Sequence, residues 1–88
     1  MKVSVDISLY PLTADYERPV IQFIERLHDH DGIQVATNHL TTQLSGDYDT
    51  VMEVLKQAMR PTLEGATKCS FVIKLLNVAV TPNEAATL

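Results

Sequence analysis

From Val3 to Tyr10 apolar and polar residues alternate without a break. Val3, Val5, Ile7 and Leu9 fall on one side, and Ser4, Asp6, Ser8 and Tyr10 on the other. A period of two is that of a strand with one buried face. Pro11 ends the strand because proline cannot donate to a sheet ladder, and Thr13 or Asp15 is placed to cap a following helix. There the period changes: Val20, Phe23, Ile24 and Leu27 recur at i, i+3, i+4 and i+7, one apolar stripe, with Glu17, Arg18, Gln22, Glu25 and Arg26 largely toward water. Pro19 is compatible with this helix only inside its first turn. The polar run from His28 to Asp31, closed by Gly32, predicts its end.

Ile33–Thr37 and Leu40–Ser45 read as two further strands joined by a tight hairpin at Asn38 and His39. Ser45, Gly46 and Asp47 give a turn and cap signal ahead of a second amphipathic helix, marked by Val51, Val54, Leu55, Ala58 and Met59. Asp47 and Asp49 suit its positive N-terminal end. Pro61 is expected to end or kink this helix, and Gly65 to lie in a loop before a fourth strand, the β-rich run Cys69–Val80, with Phe71, Ile73 and Leu75 on one face. Residues 1–80 then form one domain, and the small, polar residues 81–88 form a flexible tail that frays or lies on a neighbour.

The order β-α-β-β-α-β predicts an α+β sandwich of the ferredoxin-like kind, a four-stranded antiparallel sheet with both helices on one face and the other face open. Composition narrows this picture. The chain has 88 residues, 45% hydrophobic and 20% charged, enough for one modest core but marginal alone. Its single cysteine, Cys69, can form neither an internal disulfide nor a cysteine zinc site. Lacking an apolar leader pattern or a stretch of roughly 20 apolar residues, the sequence leads us to expect a cytoplasmic protein with no membrane partner. A net charge of −4 argues against nucleic-acid binding, which needs clustered Lys and Arg, and suits a cationic ligand.

The chemistry is concentrated on the open face. Ser4, Asp6, Ser8 and Tyr10 put a carboxylate, two hydroxyls and a ring on a central strand, about 7 Å between same-face neighbours. The hairpin adds Thr37, Asn38, His39, Thr41, Thr42, Gln43 and Ser45, neutral groups able to orient a ligand. Catalytic patterns are poor: no glycine-rich phosphate cradle, no nucleophile elbow near His39, and a His28–Asp31 cluster that reads as a solvated helix end rather than a metal site. Cys69, at the head of an apolar strand, reads as packing rather than a reactive thiolate.

Ile7-Ser8-Leu9-Tyr10-Pro11-Leu12 with Thr13-Ala14-Asp15-Tyr16, and Thr37-Asn38-His39-Leu40-Thr41-Thr42 with Ser45-Gly46 before the second helix, resemble the YkoF-type family of thiamin and hydroxymethylpyrimidine-binding proteins and its single-domain relatives, the thiamine-binding superfamily. The likeness runs from Val3 to about Asn77. It implies a ferredoxin-like fold, no cofactor, no catalysis, and thiamin or a related pyrimidine held by Asp6, Ser8 and Tyr10 of the first strand and Thr37, Asn38 and Thr42 of the hairpin, with Ser45 and Tyr48 as further candidates. Two departures stand out. The YkoF-type chains carry two such domains where this sequence has one, so a homodimer or homotetramer through sheet edges or open faces is expected. Asn38 and His39 also stand where the tandem family tends to place an acidic residue. The alternatives are a small cofactor-free enzyme using His39, or a structural or regulatory module whose open face meets another protein.

Overall fold

In the computed structural model, which describes residues 1–87, the elements run β1 (Lys2–Pro11), α1 (Glu17–His28), β2 (Gln34–Thr37), β3 (Thr42–Asp47), α2 (Tyr48–Glu64) and β4 (Cys69–Leu76). The strands form one antiparallel sheet in the order β2-β3-β1-β4. This is the ferredoxin-like α+β sandwich that the alternation of periods predicts. Val3, Val5, Ile7 and Leu9 enter the core with Leu44 of β3, Phe23 and Leu27 of α1, and Val51, Val54, Leu55 and Ala58 of α2. Each fully buried side chain of this kind contributes about 1.5–3 kcal/mol. Phe23 meets Phe71 of β4 edge-on, ring centres 5.0 Å apart, a favoured aromatic geometry. No helix among the described residues is long and apolar enough to cross a membrane.

Several boundaries differ from the sequence reading. The hairpin is not a two-residue turn: Thr37 pairs with Thr42, so residues 38–41 form a four-residue loop and β3 begins two positions later than Leu40. The side chain of Asn38 explains this, since its Oδ1 accepts from the main-chain N–H of Leu40 and of Thr41, holding the loop as an Asx turn. At its other end β3 runs through Gly46 into α2 instead of turning at Ser45. Gly46 permits the path because a Cβ there would sit 3.1 Å from Ile33 Cγ2. Asp47 occupies the N-cap position of α2 and Tyr16 that of α1, where Thr13 or Asp15 was expected, and neither makes a side-chain capping bond. Gly32 lies beyond the C-cap of α1 at Asp29; its φ of 85° turns the chain toward β2.

Pro61 does not end α2, which continues to Glu64. Its missing N–H leaves the local ladder one donor short. Beside the proline, the Arg26 guanidinium of α1 donates to Ala58 O (2.9 Å) and Thr62 Oγ1 (2.6 Å), tying the two helices together. β4 stops at Leu76 rather than at Val80. From there the chain turns back across the face of the sheet away from the helices. Ser4 Oγ donates to Val78 O and accepts from Val80 N–H, both at 2.8 Å, and Asn83 N–H donates to Gln43 Oε1 at 2.6 Å. Leu88, the last residue of the expected tail, lies outside the described residues.

Candidate ligand-binding cleft

β1 is longer than its neighbour. Ile7 is the last β1 residue with a β3 partner, Thr42, whereas Ser8 to Pro11 pair only with β4. The gap beside Ser8–Pro11 is closed by the 38–41 loop on one side and by Val20, Phe23 and Ile24 of α1 on the other, leaving a cleft of about 140 Å³. Thr41 organises it. Its hydroxyl donates to Asp6 Oδ1 (2.8 Å) and accepts from Ser8 Oγ (3.2 Å), while lying 3.1 Å from the Ile7 carbonyl. That carbonyl therefore points toward the loop. Main-chain groups alternate along a strand, so the N–H and C=O of Leu9 point the same way, into a cleft that β3 no longer reaches.

Thr37 and Thr42 lie on the opposite face of the sheet from Asp6, contrary to the open-face placement read from the sequence. Thr42 pairs with Ile7, so it shares the helix side and is only 3% exposed. Its hydroxyl is 2.9 Å from that of Thr37, which is 2.9 Å from His28 Nε2. The cleft nonetheless unites both faces, because it wraps around the end of β1 that β3 does not reach: Ser8, Tyr10, Thr37, Asn38 and Thr42 all line it. Asp6 joins through Thr41 alone. Ser45 pairs with Ser4 further along the sheet, each 6% exposed, and Tyr48 opens α2 at the far end with its N–H on Met1 O. These two stand apart from the cleft.

Sequence reasoning passed over three features. Thr41 was one hydroxyl among many, and only the four-residue loop brings it to Asp6. The Leu9 main chain carries no side-chain signal. The third is a second hollow of about 390 Å³ sharing Leu9, Tyr10 and Val20 with the cleft and walled by Tyr16 and Glu17. His39 sits on the exposed loop at the cleft rim. Among the described residues no three His, Cys, Asp or Glu side chains gather as a metal site, the His28–Asp31 run included.

Fold and cleft together define a ferredoxin-like domain with a small recess, partly lined by hydroxyls, at one end of its sheet. The chain belongs to the YKOF-related family, whose model matches residues 2–77. Among solved structures it is similar to a hypothetical protein from Methanocaldococcus jannascii, at 26% identity and a TM-score of 0.74 over 99% of this chain and 88% of that one. A Streptococcus pneumoniae protein gives 25% identity and a TM-score of 0.77, covering 91% and 89% of the two chains. A Thermotoga maritima protein assigned provisionally to thiamine biosynthesis or salvage shares the fold at 19% identity and a TM-score of 0.78, over 92% and 90%. No curated protein matches the chain.

Proposed function

We propose that this protein binds thiamin or its hydroxymethylpyrimidine moiety in the cleft at the end of the sheet and does not transform it. The observation that carries the reading is the convergence of Ser8, Tyr10, Thr37, Asn38 and Thr42 on one recess in a member of the YKOF-related family. An aminopyrimidine presents an exocyclic amine donor beside a ring-nitrogen acceptor, and the neighbouring C=O and N–H of Leu9 offer the complementary edge. Hydroxyls of Ser8 and Thr41 supply further adaptable partners. At about 140 Å³ the cleft is well below the roughly 300–1,000 Å³ of drug-sized sites, which suits one ring. The adjoining hollow suits the thiazolium, a cation attracted by the Tyr10 and Tyr16 rings and by the Glu17 carboxylate. Neutral hydroxyls and amides orient a ligand, and with His39 at the exposed rim they favour binding over catalysis.

The same reading includes a second copy of the chain. β4 is an edge strand, and Val72, Ile73, Leu75 and Leu76 are 44–56% exposed, two on each face. An exposed apolar edge invites a strand partner, and β4, paired antiparallel across a two-fold axis, is complementary to itself.

Isothermal titration calorimetry of the purified full chain tests the ligand. Heat saturating at one molecule per chain is expected for both compounds, with thiamin the tighter. Absence of heat from both at millimolar concentration would sink the reading.

A further inference from the structure

The segment after β4 lies outside the region matched by the family model, which ends at residue 77. It nonetheless reaches the loop that walls the cleft. Thr81-Pro82-Asn83-Glu84 forms a β-turn closed by Glu84 N–H to Thr81 O at 3.3 Å, with φ of 63° at Asn83. Proline at the second position and a left-handed asparagine at the third make it a type II turn. The turn aims both polar ends of Asn83 at the sheet. Its N–H bonds Gln43 Oε1 at 2.6 Å, and its Oδ1 accepts from Asn38 Nδ2 at 3.0 Å. Asn38 Oδ1 is already committed to the Leu40 and Thr41 amides, so the orientation of its amide is fixed and only its Nδ2 can face Asn83.

A continuous chain of hydrogen bonds follows: Asn83 to Asn38, Asn38 to the Thr41 main chain, and the Thr41 hydroxyl to Asp6 and Ser8. Upstream, the two bonds of Ser4 with Val78 and Val80 anchor the crossing segment to the middle of β1. We propose that Asn83 is a positioning residue for the cleft, the C-terminal turn serving as a latch that sets the 38–41 loop in its ligand-receiving shape. For its effect on binding, the inference rests on the ligand reading above.

Asn83→Gly isolates the side chain, because glycine accepts the positive φ and keeps the turn and its N–H. Asn83→Asp retains an acceptor of the same reach. Amide hydrogen exchange of the ligand-free protein is expected to speed up about fivefold at Leu40 and Thr41 in Asn83→Gly, the size of one lost neutral hydrogen bond, with wild-type rates in Asn83→Asp. Hydroxymethylpyrimidine affinity is expected to fall by about the same factor in the glycine variant and to recover in the aspartate one. Unchanged exchange at both amides in Asn83→Gly, or equal acceleration in the two variants, overturns the latch. If the wild-type protein takes up no hydroxymethylpyrimidine, the ligand reading fails while the exchange result still decides the role of Asn83.

Discussion

Thr41 has one proton to donate, and the 2.8 Å approach to the Asp6 carboxylate is where a charge-assisted bond draws it. Ser8 must then be the donor in its own contact with Thr41, so the free lone pairs of Ser8 in the cleft are left to a ligand. The sequence brought Asp6, Ser8 and Tyr10 to one strand face by alternation alone, but it could not show that a loop threonine links the first two. Nor could it show that Glu17, read only as a solvated helix residue, stands beside Tyr10 and Tyr16. Because Glu17 is exposed, its attraction for a cation is partly screened, within the roughly 0.2–1 kcal/mol of surface pairs. Glu17→Gln should therefore weaken thiamin about two- to fivefold in calorimetry and leave the uncharged hydroxymethylpyrimidine unaffected. Equal loss for both compounds would remove the hollow as the thiazolium site.

At the level of elements, long amphipathic periods were legible and short polar connections were not. The stripes from Val20 to Leu27 and from Val51 to Met59 form α1 and α2, and the β1 alternation holds from Val3 through Leu9. The β2–β3 loop went astray because a two-residue turn and an Asx-closed four-residue loop fit the same residues, and only the Asn38 side chain distinguishes them. Pro61 likewise does not end α2, which runs on to Glu64 beside the bonds of Arg26 to Ala58 O and Thr62 Oγ1. β4 was legible as a strand with Phe71, Ile73 and Leu75 on one face, and it lies at the sheet edge with Val72, Ile73, Leu75 and Leu76 exposed. If that edge pairs with a second copy, Leu75→Lys should convert a dimer to a monomer in sedimentation velocity while far-ultraviolet circular dichroism stays unchanged, since a charge on an exposed edge blocks strand addition. A monomeric wild-type protein at tens of micromolar would contradict the pairing.

For the whole molecule, the two faces of the sheet have different duties. One carries the helices and core. The other, which an element count leaves open, is crossed by residues 78–87, bonded through Ser4, Gln43 and Asn38. The small polar residues 81–88 read as a tail that frays or lies on a neighbour, and within them the Pro82-Asn83 pair, a type II turn signal, brings Asn83 against Gln43 of the sheet. With the middle of that face partly covered, the candidate cleft lies at the end of the sheet, where β1 outruns β3 and polar groups from both faces meet. The central claim is that a pyrimidine ring occupies this place. It is tested most directly by following backbone amide resonances of the isotope-labelled protein as hydroxymethylpyrimidine is added. Saturable shifts are predicted at Ser8, Leu9, Tyr10 and Thr41, with Ser45 and Tyr48 unmoved. Shifts confined to the far end of the sheet around Ser45 and Tyr48, or none at millimolar ligand, would contradict it.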